Sequence, residues 1–336
     1  IHGIETDNQN HGPSTLHVTT GSQFPGAASV GSWVNYGLGT TNRNMPGYVV
    51  IQDPRGAPVW GNGYLPAAHQ GTLLRAKGTP ILNLERPAGL SSKSQRDEFD
   101  TMKWLNQKHL AERQADHVLE ARINAYELAY RMQSEAPSLM DISNEPAHIR
   151  QLYGMDNGAT AGFGRQCLLA RRMVESGVRY TMLVHGVQIG SSSWDDHGNV
   201  KVGMIRHCRE VDKPVAGLLA DLKQRGLLEE TLVVWASEMG RTPFKNGGLS
   251  KNPGRDHNGR ALVMWMAGGN VKAGATAGKT DEFSLRSAGE SIHIRDVHAT
   301  LLNLMGLNDK RLEYLQGGRL RKLTDIGGNV LKEIIA

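Results

Sequence analysis

The chain has 336 residues, of which 39% are hydrophobic and 21% charged, with a formal net charge of +5. That length carries one large domain or two ordinary ones, and the composition is that of a globular protein with a sizeable core rather than a disordered or fibrous chain. No stretch approaches the roughly eighteen uninterrupted apolar residues of a spanning helix, and the positive excess is spread along the chain without the aromatic-interleaved basic stripe that would make nucleic acid an expected partner.

Taken in chain order, "NHGPSTLHVTTGSQFPG" over 10–26 reads as a loop opening a helix, with Pro13 in its first turn. "YVVIQD" at 48–53 and "TPILNL" at 79–84 are aliphatic runs bounded by turn formers and read as buried strands; the segment between them, "GAPVWGNGYLP" included, reads as a long loop. Residues 96–135 contain neither Gly nor Pro. Phe99, Met102, Leu105, Leu119, Ile123 and Tyr126 recur there at helical steps, so one long helix or a hairpin of two is expected. "FGRQCLLARRMVESG" reads as a helix ending at Gly177, and "VRYTMLVH" as a strand ending at His185. A helix over 208–225 closes at Gly226, with Pro214 marking a start or kink. "TLVVWASE" and "ALVMWMAGG" read as buried strands, and "RDVHATLLNLMGL" as a helix turning at Gly306.

Alternating strands and helices predict an α/β fold with a doubly wound, mostly parallel sheet covered by helices on both faces. In such folds ligands gather beyond the carboxyl ends of the strands. The polar clusters fall there: Asp195, Asp196 and His197 in "WDDHGN", Glu238 and Arg241 in "SEMGRTP", and Arg255, Asp256 and His257 in "GRDHNG". Carboxylates and imidazoles from several segments are what a divalent cation needs, and arginine forks suit a tetrahedral oxyanion. Each cluster alone could equally be a turn or an ion pair; three together point to one shared site. At the N-terminus, His11 and Ser14 stand where helix amides could cradle an anion or where Asn10 and Ser14 could simply cap the helix. His2, His17, His69, His148, His207 and His293 have no companion motif and read as surface or core residues. Cys167 and Cys208 fit no metal or redox spacing and are compatible with one disulfide or two buried thiols.

These segments, with "NHGPSTLHVTTGSQFPGAASVGSWVNYGLG", "GGNVKAG" and "YLQGGRLRKLTDIGGNVLKEI", resemble the bacterial DUF1501 family, a sulfatase-like branch of the alkaline phosphatase superfamily, over nearly the whole chain. The resemblance implies a single alkaline phosphatase-like domain over 1–336 with a helical insertion at about 96–135, and a first strand preceding Ile1 that the sequence does not include. It implies an exported protein, although no leader is visible, that hydrolyses phosphate or sulfate esters with one or two divalent ions (Zn, Ca, Mg or Mn). Small anionic esters or sulfated or phosphorylated glycans would be its substrates. "HGPST" is similar to the sulfatase segment Cys-x-Pro-Ser-Arg, with His11 in the nucleophile's place and Thr15 in the arginine's. Asp195, His197, Glu238 and His257 resemble the metal ligands, while Met239 stands where an imidazole is usual and is a poor ligand for a hard ion. His11 and Arg241 are then the expected catalytic residues, with Ser14, Arg255 and Asp256 contacting substrate or supporting the ligands. The alternative is a catalytically inactive binding or scaffolding protein that keeps the fold and a structural metal.

Overall fold

A computed structural model describes residues 1–53, 56–75, 81, 84–111, 117–186, 194–246 and 251–336. Its central strand, β2 (Tyr48–Ile51), pairs in parallel with β3 (Thr72–Leu74) on one edge and β4 (Tyr180–Leu183) on the other. All four residues of β2 are buried, which explains the unbroken apolar run. Val49 and Ile51 face a large core built with Leu74, helix α4 (His117–Met140), helix α6 (Ala161–Glu175) and helix α7 (Val200–Gln224). Tyr48 and Val50 face Leu16, Val59 and Trp60, where helix α1 (His11–Thr20) packs.

The expected doubly wound parallel sheet is not what the chain forms. Among the described residues the strands make several small sheets: the parallel trio, the parallel pair β1 (Ile4–Glu5) with β9 (Ile292–His293), and three antiparallel pairs. Strand β5 (Val233–Trp235), read as part of a parallel sheet, runs antiparallel to β8 (Trp265–Ala267). Trp235 and Trp265 sit opposite each other in that register, and their rings stack 6.2 Å apart with planes 3° from parallel. Such a cross-strand aromatic pair fixes register independently of strand direction. Strands of two to seven residues interrupted by Gly and Pro do not extend into one continuous ladder.

The helices follow the sequence pattern more closely. The described part of the 96–135 segment forms two helices packed on each other, α3 (Ser92–Ala111) and α4. Helix α6 ends before Gly177, whose φ of 82° lies in the left-handed region, and α8 (Ile294–Leu304) ends before Gly306 at 77°. Helix α7 starts at Val200, well before the expected 208, and continues through Pro214. The polar opening "HGNVKVG" hides that start; its Gly203 lies against the Asp196 carboxylate, which a Cβ there would push aside. Between 79 and 84, residues 79, 80, 82 and 83 of the second expected strand lie outside the described residues; β3 precedes them. Both cysteines are free thiols, Cys167 within the core. No described helix is long and apolar enough to cross a membrane.

Candidate metal centre

Three segments far apart in the chain meet at Asp195. Strand β6 (Gly240–Asn246) pairs antiparallel with β7 (Gly254–Asn258), and their register sets Arg241 opposite His257. The 194–200 loop is clipped onto this hairpin by backbone bonds from Arg255 N–H to the Asp196 carbonyl and from Asn199 N–H to the Asn252 carbonyl. Gly254 makes that approach possible, because a Cβ there would lie 1.9 Å from the His197 carbonyl carbon. The start of α1 supplies His11. Asn10 occupies the capping position without a side-chain cap bond.

Asp195 is the hub. Its Oδ1 lies 2.8 Å from Arg241 Nη2, 3.0 Å from His257 Nε2 and 3.0 Å from His197 Nε2; its Oδ2 lies 3.1 Å from His11 Nε2. Arg241 Nη2 also donates to the Trp194 carbonyl. Burial alone would push the Asp195 carboxyl up, but the groups around it, among them the Arg241 guanidinium by its hydrogen bond and its charge, outweigh it and hold the carboxyl well below the usual carboxylate range.

The tautomers follow from each ring's outer partner. His257 Nδ1 lies 2.7 Å from the Gln9 carbonyl, which can only accept, so Nδ1 carries the proton and Nε2 of the neutral ring presents a lone pair. His11 Nδ1 lies 2.7 Å from Glu238 Oε1, so Nδ1 carries a proton and, in the neutral ring, His11 Nε2 likewise presents a lone pair; that buried nitrogen faces Asp195 Oδ2 at 3.1 Å without a formed hydrogen bond. With both rings neutral, two lone pairs face one carboxylate at 3.1 and 3.0 Å, and His197 Nε2 lies 3.1 Å from His257 Nε2. A ring proton or a bound cation satisfies that arrangement, and a cation takes both nitrogens at once. One ligand atom from each of His11, Asp195 and His257 lies within 4.8 Å of the others, so the donor set fits a cation. The outer partners, a carboxylate and a carbonyl, are the ones that orient metal-bound imidazoles. His197 differs. Its Nδ1 lies 2.7 Å from Asn246 Nδ2, an N–H donor, which leaves the proton on Nε2 to donate to Asp195.

The remaining expected residues stand at the edge or away. Asp256 is exposed, accepts from its neighbour's backbone His257 N–H and lies 3.8 Å from His197 Nδ1. Arg255 turns back to donate to the Gly254 carbonyl. Ser14 is fully buried, its hydroxyl donating to the Asn8 carbonyl, and Met239 is buried too. Gln9, Trp194 and Asn246 carried no sequence signal, the first two because they act through backbone carbonyls.

A second cluster joins Asp7 to His17 and His293, which the sequence read as lone histidines. His293 Nε2 lies 3.1 Å from Asp7 Oδ1, and His17 Nε2 lies 3.6 Å from Asp7 Oδ2. Here the chemistry goes the other way. His293 caps α8, its Nδ1 accepting from both the Arg295 backbone N–H and Nε, so the ring proton sits on Nε2 and already serves Asp7. A metal at Nε2 would have to break the cap. This cluster is a hydrogen-bonded clasp between α1, α8 and the segment after β1.

Burial pushes His17 and the neighbouring His298 down to about 4. Both stay neutral in the folded chain where an unfolded histidine gains a proton, so stability is fully present above about pH 6.5 and is lost as pH falls toward 4. The expected loss is about 3 kcal/mol for each at the acid end. Urea unfolding at pH 7 and pH 4.5 checks it: the midpoint should drop steeply, and less so in His298→Gln, whose amide can still donate to the Val18 carbonyl that His298 Nε2 serves.

No curated protein and no solved structure matches the chain. The family described as "Protein of unknown function (DUF1501)" matches residues 1–335. On that coverage the chain belongs to the DUF1501 family.

Proposed function

We propose that the protein is a divalent-cation-dependent hydrolase of phosphate or sulfate esters, including those on glycans, with His11, Asp195 and His257 as the cation's ligands. The observation that carries the reading is the pair of imidazoles whose Nδ1 atoms are taken by Glu238 and the Gln9 carbonyl, which leaves both Nε2 atoms aimed at one carboxylate. Two nitrogens and one oxygen suit zinc better than calcium, magnesium or manganese. A bound divalent ion would polarise an ester oxygen and acidify a water.

The chain's own residues do the rest. Glu238 and Gln9 hold the two rings in the ligating tautomer. Arg241, fixed opposite His257 by the strand register, holds Asp195 ionised and adds positive charge at the site, which favours an anionic ester. His197 donates to Asp195 and keeps it oriented. Ser14 and Thr15 turn their hydroxyls onto the Asn8 and His11 carbonyls, so water rather than either hydroxyl is the attacking group. That feature also favours the second reading, a protein that binds the cation and an anionic ligand without turnover.

Turnover of aryl phosphate and aryl sulfate, with zinc or manganese added and then chelated, separates the two. Chelator-sensitive hydrolysis supports the enzyme; tight metal binding with no hydrolysis of either ester supports the binder. Glu238→Gln should weaken metal affinity about 10- to 100-fold, because the amide loses the charge that makes His11 Nε2 a strong donor. Competition with a chelating dye measures it.

A further inference from the structure

We propose that His185 and Glu210 are positioning residues that set Asp195 through the indole of Trp194. The proposal rests on the cation reading for its consequence, while its geometry stands alone. His185 lies just beyond β4, and Glu210 and His207 lie on α7; none of the three touches the centre described above. The Trp194 indole N–H donates to His185 Nδ1 over 2.9 Å. His185 Nε2 lies 3.2 Å from Glu210 Oε2, so the imidazole accepts from the indole on one side and donates to a carboxylate on the other. Burial holds His185 below its ordinary value, opposed by Glu210, which keeps the ring neutral as this arrangement needs.

The indole is gripped by packing as well. It lies over the fully buried His207 ring, centroids 4.8 Å apart and planes 30° from parallel, and meets Trp235 edge-on at 6.4 Å. Phe163 closes the far side of His185 at 5.0 Å. The Glu210 oxygen that takes His185 also lies 3.6 Å from His207 Nδ1, beyond hydrogen-bond reach, while His207 Nε2 lies 3.5 Å from Asp196 Oδ2.

Asp195 is the next residue. Arg241 Nη2 binds the Trp194 carbonyl at 3.1 Å and Asp195 Oδ1 at 2.8 Å, so the carbonyl that follows the pinned ring and the carboxylate share one guanidinium nitrogen. With the indole fixed, the peptide between residues 194 and 195 is fixed, and the carboxylate is presented to His11 and His257. A ligand misplaced by a fraction of an ångström costs metal affinity. Freeing the indole should therefore act on the cation without touching a ligand.

The test uses Trp194→Phe, which keeps the stack on His207 and deletes the N–H; Glu210→Leu, which removes the carboxylate; and Glu210→Gln, which keeps an acceptor for His185. Cobalt(II) affinity should fall about 10- to 100-fold in the first two, stay within about threefold in Glu210→Gln, and fall no further in the double variant than in the worse single, because both act along one path. Melting temperatures should stay within a few degrees. A second readout needs no metal: the Arg241 guanidinium proton resonance, protected by Trp194 and Asp195, should broaden or vanish in Trp194→Phe and Glu210→Leu. Wild-type affinity in either of those variants, or losses that add, would overturn the proposal, as would an Arg241 resonance that persists in both. If the wild type takes no cobalt while the two variants lose the resonance, the cation reading fails and the positioning role stands.

Discussion

Asp195→Ala is expected to lower turnover of an aryl phosphate by about 1,000-fold or more and to remove cation binding, the largest functional effect of any single change in the chain. The carboxylate is the one group that faces Arg241, His257, His197 and His11 together. Its removal deletes the one carboxylate that faces the Nε2 atoms of His11 and His257 and leaves the Arg241 guanidinium there unbalanced, so a cation arriving between the rings meets repulsion instead of a carboxylate. Asp195→Asn keeps the shape and accepts from Arg241 but supplies no charge, and should fall nearly as far. Neither change removes packing from a core cluster, so circular dichroism should stay that of the wild type. Cobalt affinity within about threefold of wild type in Asp195→Ala would count against the proposed role, whatever happened to turnover.

The largest effect on stability is expected from Arg171→Met, about 3–5 kcal/mol. Arg171 is 3% exposed on α6. Its Nη2 donates to Glu145 over 2.8 Å, its Nη1 to Glu175 over 2.6 Å, and its Nε lies 3.0 Å from Asp221. Glu145 and Asp221 are themselves buried. Removing the guanidinium leaves their charges to Arg172 and Arg225, each of which reaches only one of them. Methionine fills much of the space, so the loss reads as uncompensated charge rather than a cavity. Arg171→Lys keeps the charge but reaches fewer oxygens from a single ammonium and should lie between. Urea unfolding midpoints at pH 7 order the three proteins; Arg171→Met unfolding with the wild type would show that the network adds nothing net.

Local elements were legible where the residues themselves decide them. The buried run at 48–51 reads as a strand because both its faces meet apolar side chains, and α6 and α8 end near glycines whose positive φ stops a helix. Strand direction was not legible, because it depends on which distant segment arrives alongside: nothing within "TLVVWASE" says that 265–267 will pair with it antiparallel. The start of α7 was hidden for a related reason: the expected helix began at 208, and nothing in the polar residues before it shows that Gly203 lies against the Asp196 carboxylate.

In the site, the side chains at the ends of the polar motifs were legible, and the structure brings His11, Asp195, His197, Glu238, Arg241 and His257 together. What they do to one another was not. Glu238 bonds to the outer nitrogen of His11, and the partner of His257 is a backbone carbonyl, a group every residue carries and no motif records. The Asp7–His17–His293 clasp joins residues 286 positions apart, so its histidines read as solitary.

Cobalt(II) titration followed by visible absorption tests the shared cation most directly. The predicted result is one equivalent bound with the bands of a nitrogen–oxygen site, lost in both His11→Ala and His257→Ala and kept in Asp7→Ala, which disrupts the clasp and not the centre. Absence of cobalt binding in the wild type, or binding that survives His257→Ala and vanishes in Asp7→Ala, would contradict it.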